Sequence, residues 1–307
     1  MSNEKSCVAR LVLGTAQLGM AYGVANRRGQ PSPQEALAML EQAERGGIRC
    51  LDTAAGYGAA EQLIGRYLRE RKRPAELTEL AVVTKLTLAD GRTRNDESDQ
   101  VHTALLASRQ RLGRAPDAAL LHDPNLLDHW DGPLGDALRS CRAAGDVAAI
   151  GASVYTPDQF ERALELEGLE VLQAPFNVFD RRLEQGGLLA RAQAQGVRVM
   201  LRSAFLQGLL TLEPTAYPRW LSFAAELLRR WRAACVRHSL EPRHVALRFV
   251  LERTAPAEVV VGCESPQQLQ QLLHSAAGPS LPGQLVDELE ELASDDARLL
   301  DPREWPA

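Results

Sequence analysis

The chain has 307 residues, 45% of them hydrophobic, and a formal net charge of −5. That supplies a sizeable core, while no apolar run reaches the ~18 residues needed to cross a membrane and the acidic balance argues against nucleic acid as the main partner. Five scattered cysteines (Cys7, Cys50, Cys141, Cys235, Cys263) with no Cys-x-x-Cys, and six histidines with no His-x-x-x-His pair, point to reduced thiols and no metal site.

The opening Met1 to Ser6 is polar and lacks a signal-peptide apolar region, so a cytoplasmic location is expected. Beyond it, short β-branched or Leu-rich runs alternate with longer segments of helical period. Strands are expected near Leu11–Gly14, Ile48–Asp52, Leu80–Lys85, Ala118–His122, Ala148–Ser153, Val171–Ala174, Val197–Leu201 and Val259–Gly262. Helices are expected between them, beginning with Pro33 to Glu44, where Ala36, Leu37, Leu40 and Ala43 recur at three- and four-residue spacing. Further helices follow over Glu61–Leu68, Val101–Leu112, Leu134–Ala144, Pro157–Glu165, Gly187–Gln195 and Arg243–Glu252, several of them stopping at glycine.

Eight strands, each followed by a helix, imply an α/β fold with a parallel sheet closed into a (β/α)8 TIM barrel, as one domain over residues 1–307. An open doubly wound sheet is the competing topology. It needs a glycine fingerprint after the first strand, and Gly14-Thr15-Ala16-Gln17-Leu18-Gly19 does not supply Gly-x-Gly-x-x-Gly. Two segments, Thr211–Leu240 and Ala276–Ala307, exceed ordinary connections and are expected as added helices that form lids or bottom caps.

Three of the predicted strands end in residues that carry chemistry. The second delivers Asp52, with Tyr57 in the loop beyond it, the third Lys85 and the fourth His122. Strand ends converge on one mouth in a closed parallel barrel. Lysine is rare here: it occurs only at Lys5, Lys72 and Lys85, leaving 32 of the 35 basic residues as arginine. A compact ammonium at the end of an apolar strand is therefore a specific choice in this chain. A free phenol, with a pKa of about 10, is too weak an acid to protonate an alkoxide well at neutral pH. A nearby ammonium stabilises phenolate and makes the phenol a better acid. Asp52 would hold Lys85 charged and in place, and His122 would orient a carbonyl oxygen.

With these residues in view, the chain resembles the aldo-keto reductase family, whose tetrad is Asp, Tyr, Lys and His. The matching stretches are Asp52-Thr53-Ala54-Ala55-Gly56-Tyr57-Gly58 with Glu61 and Gly65, then Thr84-Lys85, then Leu121-His122. The likeness continues through Gly14–Gly19, Ile150-Gly151-Ala152-Ser153, Gln173-Ala174-Pro175-Phe176-Asn177 and Arg202–Leu210. It implies hydride transfer from NADPH to an aldehyde or ketone at the barrel mouth, with Tyr57 as proton donor. It also implies cofactor contacts from Gly14 and Thr15, from Ser153 and Gln173 at the nicotinamide carboxamide, from Arg202 and Ser203, and from Gly262 to Ser265 with Gln268 along the phosphates. The substrate would be a small carbonyl compound. Its pocket is expected to draw on Gln17, Tyr22, Trp130 and Asn177, the tyrosine and tryptophan lying in loops predicted at the mouth.

The chain departs from the family pattern at three of these positions. Val154 stands where an asparagine commonly follows the serine, and it cannot hydrogen-bond an amide. Arg202 stands where an aromatic ring commonly stacks on nicotinamide. Gly262 to Gln268 contains no Lys or Arg to clamp a 2′-phosphate, and Glu264 would repel one. NADPH held by other groups, use of NADH, or loss of the redox step all remain open on these residues. The last would make the protein a lyase, dehydratase or isomerase, or a cofactor-sensing regulatory subunit. A Schiff-base aldolase acting through Lys85 is a further alternative.

Overall fold

The computed structural model describes residues 7–71, 79–89 and 96–306; Lys5 and Lys72 lie outside them. Eight strands form a closed parallel barrel in chain order. They are β1 (Leu11–Gly14), β2 (Cys50–Asp52), β3 (Ala81–Leu86), β4 (Ala118–Leu121), β5 (Ala149–Ser153), β6 (Val171–Pro175), β7 (Arg198–Arg202) and β8 (Glu258–Gly262). Pairing of Leu11–Gly14 with Val259–Gly262 closes the ring. The (β/α)8 expectation is met, with strand boundaries shifted by one or two residues.

Helices pack around the outside. They are α1 (Pro33–Arg45), α2 (Ala60–Glu70), α3 (Asp96–Leu112), α4 (Pro133–Ala143), α5 (Pro157–Leu164), α6 (Leu188–Ala194), α7 (Ala225–Arg237), α8 (Pro242–Arg253), α9 (Pro266–Ala277) and α10 (Gly283–Glu290). Local sequence explains several starts. Ser32 and Glu35 form a reciprocal capping box at α1, Thr156 and Gln159 another at α5, and each helix opens with proline. The segment expected to add helices after β7 does so as three short 3-10 turns followed by α7. The C-terminal segment adds α10, one helical turn over Ala297–Leu300 and a 3-10 turn over Pro302–Glu304. No helix among the described residues is long and apolar enough to cross a membrane.

Strand periodicity then decides what fills the barrel. Alternate side chains face opposite sides of a strand, and Val12, Cys50, Val83, Ala118, Leu120, Val171 and Met200 form a buried cluster of their own, apart from the larger core under the helices. Two residues further along five of these strands come Asp52, Lys85, His122, Gln173 and Arg202. The apolar plug is thus the floor of a polar layer built from the same faces of the same strands. Gly14 and Gly262, opposite each other in the β1–β8 register, keep that layer open on one side.

Two motif residues outside the polar layer support it from behind. Glu61, at the start of α2, is buried and accepts hydrogen bonds from Thr84 Oγ1 (2.6 Å) and Arg111 Nε (2.5 Å), tying β3 to the end of α3. Gly65 lets α2 touch that same end: a Cβ there would stand 2.2 Å from the carbonyl oxygen of Arg111. Backbone cannot retreat as a flexible side chain can. Gly65→Ala is expected to lower stability by about 1–3 kcal/mol, the usual cost of overpacking a tight contact, which the shift of a urea unfolding midpoint at unchanged slope would measure.

Candidate active site

The polar layer opens into a cavity of about 530 Å³ at the C-terminal ends of the strands. Asp52, Tyr57, Lys85 and His122 all line it, as do Gly14, Gln17, Tyr22, Ser153, Gln173, Arg202, Ser203, Gly262 and Gln268. Four expected site residues lie elsewhere. Trp130 is fully buried beneath the 3-10 turn Pro124–His129, its indole N–H donating to the carbonyl of Glu167 at 3.0 Å. Asn177 is also fully buried, and its Oδ1 accepts the backbone N–H groups of Phe179 and Asp180, so it shapes a turn. Thr15 donates its hydroxyl to the carbonyl of Asp52 behind the cavity wall. Ser265 caps α9, accepting the N–H of Gln268 at 3.2 Å. In each case a backbone group holds a polar atom of the side chain.

At the cavity floor Lys85 is 1% exposed, and its Nζ reaches both oxygens of Asp52 (2.6 and 2.7 Å), the carbonyl of Thr53 (3.3 Å) and Tyr57 Oη (3.4 Å). Burial alone would push the ammonium's pKa down. Attraction to Asp52 and its hydrogen bonds outweigh that, and the pKa is raised, so the lysine stays charged. Gln173 Nε2 donates to Asp52 Oδ1 at 2.7 Å, an unforeseen third contact on that carboxylate. The glutamine is thereby committed on one side, while its amide oxygen has no hydrogen-bond partner among the described residues.

His122 stands edge-on to Tyr57, with ring centroids 6.0 Å apart. Burial, followed by the nearby Lys85 charge, pushes its pKa down to about 4. The imidazole is therefore neutral at physiological pH and offers a hydrogen bond without a charge. Around the rim, the β1 and β7 loops meet, the N–H of Ala25 bonding the carbonyl of Gln207 at 3.4 Å. Ser203, Leu206 and Gln207 all adopt positive φ, which costs non-glycine residues energy and concentrates at functional sites.

The cavity also includes residues the sequence reading passed over. Tyr155 follows Ser153 by two positions and could have been found from strand periodicity. Arg243 from the start of α8, and Pro302 and Arg303 from the tail, carried no local signal. Val154, by contrast, is fully buried and absent from the cavity wall, so its apolar side chain suits its place.

Comparison with known proteins agrees with the barrel fold. The profile described as Aldo/keto reductase family matches residues 10–294. The chain belongs to that family. It is 25% identical to an NADH-specific methylglyoxal reductase of Escherichia coli over 86% of this chain and 88% of the relative. It is 29% identical to a D-threo-aldose 1-dehydrogenase of a Pseudomonas species, over 95% and 98%. In fold it is similar to an aldo-keto reductase from Bacillus halodurans in its holo form, with a TM-score of 0.75, 21% identity and coverage of 96% and 95%. Membership of this family makes the protein an oxidoreductase.

The depressed histidine has a consequence for stability. Between pH 6.5 and about 4 the unfolded chain binds a proton at this residue that the folded protein refuses, so acidification favours unfolding. Between pH 7 and pH 5, His122→Asn is expected to lose less melting temperature than the parent, as scanning calorimetry at the two pH values would show. An equal drop in both proteins would mean that His122 is not held neutral.

Proposed function

We propose that this protein reduces an aldehyde or ketone with Tyr57 as proton donor. The observation that carries the reading is the Lys85 ammonium, buried between the Asp52 carboxylate and the Tyr57 hydroxyl. As Tyr57 releases its proton to the developing alkoxide, negative charge appears on the phenol oxygen, 3.4 Å from a fixed positive nitrogen. Asp52 and Gln173 keep that nitrogen from moving. Neutral His122 donates to the carbonyl oxygen and orients it toward Tyr57. Bulk water is kept off the floor by the apolar plug beneath it.

A bound nicotinamide dinucleotide would supply the hydride. The residues fit such a group: Ser153 lies buried on the cavity wall with no hydrogen bond from its hydroxyl among the described residues, beside the half-used amide of Gln173. Both suit a carboxamide. Further along, Gly262 admits the Gln17 side chain, where a Cβ would stand 2.5 Å from Gln17 Oε1.

At the same end Glu264 lines the cavity, its carboxyl pushed up by burial and countered by hydrogen bonds and the Arg28 charge. An acid here supports NADH over NADPH, since a 2′-phosphate would meet like charge. The NADH-specific relative is in keeping with that preference. The Arg28 charge nearby offsets part of that repulsion.

Two experiments test these roles. Tyr57→Phe is expected to lower kcat for carbonyl reduction by roughly 10²- to 10⁴-fold, the range for losing a general acid, while Kd for NADH stays within about twofold. Unchanged turnover removes Tyr57 from the mechanism. Glu264→Gln is expected to tighten NADPH binding relative to NADH by about tenfold, one charge–charge contact's worth. Fluorescence titration of both dinucleotides measures it, and an unchanged ratio means that Glu264 does not sense the phosphate.

A further inference from the structure

A guanidinium with no acid partner of its own faces the same cavity. Arg202 ends β7 in the polar layer, two residues beyond Met200 of the apolar plug. Its Nη2 donates to the carbonyl of Val154 at 2.9 Å and its Nη1 to Ser203 Oγ at 3.3 Å. Among the described residues it makes no ion pair, so most of its five N–H donors remain for a ligand. Its Cζ lies 4.2 Å from the centroid of the Tyr155 ring, and the Cζ of Arg303 from the C-terminal tail lies 3.5 Å from the same centroid. The ring thus carries two cations, and this contact together with the Val154 and Ser203 hydrogen bonds fixes the Arg202 fork in direction.

Asp301, an acid on which the Arg202 charge acts, is committed to Arg303, whose Nε and Nη2 it binds. It acts on Arg202 only at longer range. One carboxylate between two guanidiniums leaves this wall positive. The wall also lies close to the chemistry, since Arg202 is among the charges that keep His122 neutral and it acts on Tyr22 at the rim. A fork held this rigidly loses little freedom when it takes a carboxylate.

We propose that Arg202, braced on Tyr155 and backed by Arg303, binds a carboxylate on the substrate, so that the compounds this enzyme reduces are oxo acids. This rests on the carbonyl-reductase reading. The carbonyl oxygen would sit at Tyr57 and His122 while the carboxylate of the same molecule sits on the Arg202 fork. Neutral carbonyl compounds would enter the same cavity but leave the guanidinium without an anion. A dinucleotide's phosphates offer the same oxyanion chemistry, and the test separates the two sources.

Steady-state rates with NADH are measured for 4-oxobutanoate and butanal, which share chain length and aldehyde, in the parent, Arg202→Met and Arg202→Lys. The expected result is a parent kcat/KM that favours 4-oxobutanoate. That preference should fall by roughly 10- to 100-fold in the methionine variant, the worth of a charge-assisted hydrogen bond, and recover in part with lysine. A preference that survives in Arg202→Met overturns the proposal. In parallel, succinate is titrated by calorimetry. It should bind the parent, bind Arg202→Met at least about tenfold more weakly, and compete with 4-oxobutanoate but not with NADH. If succinate competes only with NADH, and Arg202→Met weakens NADH binding while the aldehyde preference holds, the fork serves the dinucleotide and the proposal fails. If the parent reduces neither aldehyde, the carbonyl-reductase reading is at fault, and the succinate titration alone decides whether Arg202 is an anion site.

Discussion

An ammonium cannot be buried to 1% exposure without compensation, and the active centre is organised around meeting that condition at Lys85. Desolvating a charged group costs several kcal/mol, and removing one partner of a buried ion pair typically costs about 3–5 kcal/mol. Asp52 answers with both oxygens, and the Thr53 carbonyl adds a third acceptor. Asp52 in turn carries the Gln173 amide. The ammonium's remaining N–H direction points to the Tyr57 hydroxyl, 3.4 Å away. The network that compensates the buried charge also brings that charge against the Tyr57 phenol.

The rest of the mouth follows from the way strands alternate. A residue at the end of a barrel strand faces inward if the residue two before it does, and the apolar plug marks which residues those are. Asp52, Lys85, His122, Gln173 and Arg202 therefore share a layer although they come from five strands. What surrounds that layer is less regular. The β7 loop holds three non-glycine residues at positive φ, and Gly208 beside them leaves room for Ala25, whose Cβ would otherwise stand 2.5 Å from the added atom. Strained backbone of this kind persists only where neighbouring contacts hold it, and here the β1 loop provides them.

The barrel and its tetrad were legible because their signals are local. Strand runs, helix caps and the period of two each need only a few consecutive residues, and the Asp52-to-Tyr57 motif fits within one loop. Gln173 was legible as a residue at a strand end, but its bond to Asp52 spans 121 positions and no local pattern foretells it. Trp130 misled for the same reason in reverse. A large aromatic in a loop beside the fourth strand suggested the rim, yet a 3-10 turn folds it beneath the surface and Gly135 leaves room for the backbone to close over it. Asn177 and Ser265 are ordinary turn and cap residues, and their side-chain oxygens already accept neighbouring backbone N–H groups.

Sequence alone determined the α/β barrel, its eight strands and the meeting of Asp52, Tyr57, Lys85 and His122, because hydrophobic period and strand-end chemistry are properties of short stretches. Tertiary structure decided which polar groups remain available at the mouth. Asp52 keeps Lys85 charged and burial keeps His122 neutral, backbone partners hold Thr15, Asn177 and Ser265 off the cavity wall, and the tail brings Arg303 to the same Tyr155 ring that Arg202 of a distant strand end meets. Those outcomes depend on distances between segments far apart in the chain, and only the folded barrel sets such distances.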